Sequence, residues 1–139
     1  MSGSQSSMMS FSQDIASAEA PPPIPARSYR GEVIGAVVRP AQSSGILYLN
    51  LQFRIGADQY PADYTEGDPD GTIVYARVRA TDDMVGRFQM KRAMARLGGP
   101  TGSNIDCNAL IGLWANIDVT HSPDQEGDMR AQVSRLLDP

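Results

Sequence analysis

Residues 46–55 read ILYLNLQFRI, with Leu47, Leu49, Leu51, Phe53 and Ile55 on one parity and Tyr48, Asn50, Gln52 and Arg54 on the other. Successive side chains of a strand point to opposite faces. The stretch therefore predicts a half-buried strand whose inner face is aliphatic and whose outer face carries rings, amides and a cation. Upstream, residues 29–39 (YRGEVIGAVVR) are rich in β-branched side chains and stop at Pro40, and the AQSSG cluster at 41–45 joins the two as a turn. Downstream, residues 56–71 contain Asp58, Asp63, Glu66, Asp68 and Asp70 with two prolines and three glycines, and read as a long acidic loop.

The alternation resumes at residues 72–80 (TIVYARVRA), with Val74, Ala76 and Val78 inward and Ile73, Tyr75, Arg77 and Arg79 outward. Thr81 or Asp82 is the expected cap of a helix over 84–97, with Met84, Val85, Phe88, Met94 and Leu97 as its buried stripe. Gly98-Gly99-Pro100 ends it. Residues 101–112 form a connector with one helical turn at 106–111. Residues 113–120 (LWANIDVT) predict a fourth strand, with Leu113, Ala115, Ile117 and Val119 inward and Trp114, Asn116, Asp118 and Thr120 outward. Residues 121–128 then read as a hairpin loop, and 129–137 as the last strand.

This β-β-β-α-β-β order, with the helix between strands three and four, is by analogy the layout of an OB-fold, a five-stranded Greek-key barrel that binds oligonucleotides, with a five-stranded meander and a small α+β sheet as the alternatives. The 139 residues suit one such domain, and a hydrophobic content of 41% is enough to fill its core. Residues 27–139 form the expected domain. Residues 1–26 read as a disordered Ser/Pro-rich arm closing in a three-proline run, with a short helix over 12–20 capped by Ser12 as its one regular feature. No apolar run approaches the roughly 18 residues of a membrane span, and the opening residues lack a secretory pattern, so no membrane partner is expected. A single cysteine, Cys107, excludes an internal disulfide and fits a reducing compartment.

The outer faces carry the functional expectation. Tyr48, Tyr75 and Trp114 are candidate platforms for exposed bases, and Arg54, Arg77 and Arg79 are candidate phosphate contacts. Asn50 and Gln52 would hydrogen-bond sugar or base edges, and Lys91 and Arg92 would extend the basic track from the helix. Rings that stack and guanidiniums that neutralise phosphates are what a single strand requires. The formal charge of −4 points away from nucleic acid only as an average. Residues 72–96 hold six cations against two acids, whereas the five acids of 56–71 face no cation, and that loop could swing over the basic face as a competitor.

Catalytic signals are thin. His121 is the one histidine and has no nucleophile motif beside it, so it reads as a solvated loop residue. Asp68-Pro69-Asp70-Gly71 resembles the start of a calcium loop but has Arg79 where the twelfth-position glutamate belongs. No enzyme, metal or cofactor is expected. A protein-interaction or virion assembly module built on the same barrel is the competing reading, because aromatic and arginine-rich faces also suit protein interfaces.

Four stretches carry a family likeness: Tyr29-Arg30-Gly31-Glu32-Val33, the GILYLNLQF run at 45–53, the helix from Phe88 to Gly98, and LIGLWANIDV at 110–119. With the closing strand at 129–137, the chain over about 27–139 resembles the small single-stranded DNA-binding proteins encoded by tailed bacteriophages. The resemblance implies an OB-fold that coats single-stranded DNA during replication or recombination in the cytoplasm of a bacterial host, without chemistry of its own. RNA binding and a homo-oligomer stay open. Many such proteins recruit replication partners through an acidic tail. The closing Arg135-Leu136-Leu137-Asp138-Pro139 is not one, and the 1–26 arm is the expected substitute.

Overall fold

The computed structural model describes residues 7–139. Five strands, β1 (Ser28–Pro40), β2 (Leu47–Ile55), β3 (Thr72–Arg79), β4 (Trp114–Pro123) and β5 (Met129–Leu137), and one helix, α1 (Met84–Leu97), follow one another in the expected sequence, with α1 between β3 and β4. The strands make one antiparallel sheet in the order β3-β2-β1-β4-β5. The sheet curls until its two edges, β3 and β5, lie beside one another, but no ladder joins them. The result is barrel-like and not a closed barrel. Among the described residues no helix is long and apolar enough to cross a membrane.

β1 makes the curl. Its first part pairs with β4 from Ser28↔Asp118 to Glu32↔Trp114, its second with β2 from Glu32↔Arg54 to Pro40↔Leu47, and a bulge interrupts the register between Val33 and Gly35. Bulges bend a strand and raise its twist, which lets one strand serve both walls. Gly31 sits where these walls converge. A Cβ there would come within 2.9 Å of Ile117 Cδ1 and 3.0 Å of Phe53 Cδ1, so only a bare backbone fits.

The inward parity reads as expected over most of its length: Leu49, Leu51, Phe53, Ile55, Val74, Ile117 and Val119 are fully buried. Leu47 is the exception at 42% exposed, because the β1–β2 hairpin projects past the core and leaves the inward-facing Val38 exposed as well. The helix stripe is corrected too. Met84, Val85 and Phe88 are exposed, whereas Gly86, Ala93, Met94 and Leu97 are buried, so α1 packs against the sheet chiefly through its second half.

The helix cap is Asp83, not Thr81 or Asp82. Its carboxylate accepts the Gly86 N–H at 2.7 Å and the Thr81 hydroxyl at 2.8 Å. These bonds, the Gly86 N–H foremost, hold the Asp83 carboxyl below its ordinary value. The charged form is thus favoured in the folded chain. Its contribution is complete above the ordinary carboxylate range and is lost as pH falls through the lower folded value. Replacing Asp83 by Ala is expected to lower the melting temperature at neutral pH and to flatten the acid limb of a melting-temperature profile. An unchanged acid limb would contradict this role.

The largest departure from expectation lies before β1. Residues 1–6 of the expected arm lie outside the described residues, and residues 7–20 are exposed, with a 3-10 turn at Ile15–Ser17 capped by Asp14 in place of the longer Ser12-capped helix. Ile24, however, is 1% exposed and belongs to the core. Polar side chains tie its neighbours down: the Tyr29 hydroxyl donates to Pro25 O at 2.7 Å, the Tyr64 hydroxyl to Pro22 O at 3.5 Å, and His121 Nε2 lies 2.7 Å from Ile24 O.

Candidate nucleic-acid interface

The strand register assembles the outer face from four rows. Arg39, Tyr48 and Arg79 lie abreast on β1, β2 and β3, followed by Val37, Asn50 and Arg77, and then by Gly35, Gln52 and Tyr75. The fourth row crosses four strands as Trp114, Glu32, Arg54 and Ile73, and Arg30 faces Asn116 just beyond it. Tyr48 and Arg54 are six residues apart on β2, so the first and last rows are separated by about 20 Å. An open groove of about 570 Å³ runs over β1, β2 and β3 between Arg39, Tyr48, Gln52, Tyr75 and Arg77. Gly35 keeps its floor low, since a Cβ there would come within 2.9 Å of Gln52 Oε1.

Two rings on this face are stacked with guanidinium groups. Arg77 Cζ lies 4.0 Å from the centroid of Tyr48, and Arg30 Cζ lies 5.8 Å from that of Trp114. Trp114 is 43% exposed and Tyr75 59%, so both present ring surface to solvent. A guanidinium on a ring keeps its charge and offers a second planar surface, so a base can stack on it while a phosphate is neutralised nearby.

Carboxylate pairing sorts the cations. Among the described residues, Arg54 pairs with Glu32 at 3.9 Å and Arg79 with Asp83 at 3.4 Å, and Arg87, Arg96, Arg130 and Arg135 also have acidic partners. Arg30, Arg39 and Arg77 have none within 4.0 Å among the described residues, and all three lie on the ring-bearing face. Two of the three expected phosphate contacts, Arg54 and Arg79, are thus engaged in local ion pairs, while Arg77 is not. Arg30 and Arg39 are the residues that sequence reading missed. They stand on opposite parities of β1, and only the bulge brings both to the outer face. The available signal was Gly31 and Gly35 within one strand, since glycine in a strand interior marks a bulge or a close approach.

The remaining expected residues divide. Asn50 and Gln52 line the groove, with Asn50 Nδ2 donating to Tyr48 O at 3.3 Å. Arg92 lies on the side of α1 that faces β3 and β5, its guanidinium 5.6 Å from the centroid of Phe88. Lys91 borders a separate hollow with Asp82, Arg87, Thr101 and Ser103, so the structure does not bring it to the sheet groove.

The acidic loop is anchored and does not hang loose. Gln59 clamps the exposed edge of β1, accepting the Arg30 N–H at 2.8 Å and donating to Arg30 O at 2.7 Å. Tyr60 donates to Asp68 O at 2.8 Å, lies 2.7 Å from the Thr72 hydroxyl, and meets Tyr64 edge-on at 5.2 Å. Gln59 thereby fixes the strand that carries Arg30. The β4–β5 turn is also braced. Asp124 takes the Arg130 guanidinium at 2.8 Å and two backbone N–H groups, and the Arg130 bond chiefly holds its carboxyl below the ordinary value.

His121 is not a loop residue. β4 extends through Pro123, and since a carbonyl only accepts, His121 Nε2 carries the proton donated to Ile24 O. Among the described residues no cluster of three or more metal-ligating side chains occurs. Comparison with protein-family models and with curated proteins finds no match to the chain.

Proposed function

We propose that the outer face of β1, β2 and β3, with Trp114 beside it, binds single-stranded nucleic acid without reading its sequence. The observation that carries this reading is the coincidence of Arg30, Arg39 and Arg77, unpaired with carboxylates among the described residues, with exposed or guanidinium-stacked rings on one continuous surface. Charges with acidic partners must exchange a carboxylate for a phosphate when a strand binds, and charges without them are available to phosphate directly. Rings that face solvent are available to bases. In a duplex the bases are stacked and paired within the helix, so a flat ring-and-guanidinium face favours single strands.

The strand order supports an OB-type reading of the sheet. Edges β3 and β5 adjoin as the two strands flanking the seam of a partly open five-stranded barrel, and the β2–β3 face is the one that such folds use for oligonucleotides. DNA coating during replication or recombination is the role that accords with the sequence resemblance. Retardation gels with matched single-stranded and duplex oligonucleotides, run at about 50 and about 200 mM salt, test it. Tighter binding of the single strand, weakened by salt, is expected. Equal retention of the duplex, or retention of neither, would overturn the proposal.

A further inference from the structure

The geometry points to a second, phosphate-only track where α1 meets the β3–β5 seam, into which a single strand passes on leaving the sheet face. This rests on the function proposed above and adds residues to it. A hollow of about 310 Å³ lies between α1, β3 and β5, and Arg77, Arg79, Arg92, Arg96 and Arg135 all line it. No Asp or Glu does. In a chain of net charge −4, five guanidiniums around one hollow without a lining carboxylate form a local anion site that the average conceals.

Its occupant follows from the lining. The floor is aliphatic, through Ala76, Val78, Ala93 and Leu136, and Tyr48 at the mouth is the only ring, so the hollow provides charge and hydrogen-bond donors but no row of platforms for bases. Forked guanidiniums match phosphate oxygens in this setting. Continuity with the sheet groove is direct, because Tyr48 and Arg77 line both spaces. A backbone running from Trp114 along the rows reaches Arg77 and then Tyr48, the two residues that also line the hollow. Beyond it, Gln89, Arg92, Arg96 and Arg135 also line an adjoining open space of about 380 Å³, with Asp138 as its one acid, so three arginines carry the track outward.

Three of the five arginines have partners: Arg79 with Asp83, Arg96 with Asp138 at 3.2 Å and Arg135 with Asp118 at 3.5 Å. Asp138 is 86% exposed and the Arg135 side chain 70%, and pairs open to solvent on one side in this way are weak, so phosphates can exchange with the carboxylates at Arg96 and Arg135. Arg77 and Arg92, stacked on Tyr48 and Phe88, have no carboxylate partner among the described residues.

The test compares oligo-dT strands of about 5 and about 15 nucleotides, near the two ends of the span that such folds cover. Anisotropy titrations would use the full chain, an Arg96→Gln/Arg135→Gln variant, and separately Gln89→Glu, an exposed change that adds a carboxylate to the hollow. The double variant is expected to bind the short strand as the unmodified chain does and to lose affinity for the long one. The slope of log affinity against log salt for the long strand should shrink by about 1.4, two contacts at about 0.7 each. Gln89→Glu should weaken the long strand selectively as well. Long-strand affinity unchanged in both variants, or equal losses for both lengths, overturns the track while leaving the sheet site intact. Failure of the unmodified chain to bind either strand overturns the proposed function itself.

Discussion

A chain carrying Tyr48→Ala and Trp114→Ala together is expected to bind single strands at least about 30-fold more weakly than the unmodified protein. Removing one stacking side chain costs about 1–3 kcal/mol per base. The two rings sit in rows about 20 Å apart along the strands, with no shared partner, and losses at such separations add, giving about 2–6 kcal/mol together. The fold should survive, because Trp114 is 43% exposed and Tyr48 points to the groove and not into the core. Melting temperature and binding therefore come apart in this variant. If rings and arginines were merely cross-strand pairs on a solvated sheet, binding measured by anisotropy would move little.

Ile24→Ala is the second large effect, and it falls on stability. The side chain is 1% exposed against the core, and truncating a buried isoleucine costs about 2–5 kcal/mol. Typical domains are stable by about 5–15 kcal/mol, so a large share of the margin would go. The backbone around it is held by His121, Tyr29 and Tyr64, whose hydroxyl or ring N–H groups would lose the ordering that docked Ile24 provides. Removing residues 7–19, all exposed, is expected to leave the urea midpoint almost unchanged. Were 20–26 a loose arm, Ile24→Ala would be as silent as that deletion, and equal midpoints would contradict the packing described here.

Sequence periodicity revealed what depends on local alternation and missed what depends on register. The five strands, their inner faces and the position of the helix follow from a period of two and a period near 3.6, which act within ten residues. Ile24 directly follows a three-proline run, where composition argues for a tail and only the tertiary partners Tyr29, Tyr64 and His121 say otherwise. Leu47 fits its parity, but a hairpin that outruns the core leaves it in water. Arg54 and Arg79 are outward as read, yet their partners Glu32 and Asp83 come into reach through strand pairing and the helix cap. Arg30 and Arg39 required the bulge. The net charge of −4 counts acids wherever they lie, whereas the ring-bearing face keeps Arg30, Arg39 and Arg77 with no carboxylate within 4.0 Å among the described residues.

Trp114 is the single tryptophan of the chain and stands on the proposed face, so its emission reports occupancy of the site itself. Titration with oligo-dT at about 50 mM salt is predicted to quench that emission to saturation, and raising the salt to about 200 mM to reverse it. Unchanged emission with strand in excess at the lower salt would contradict the account.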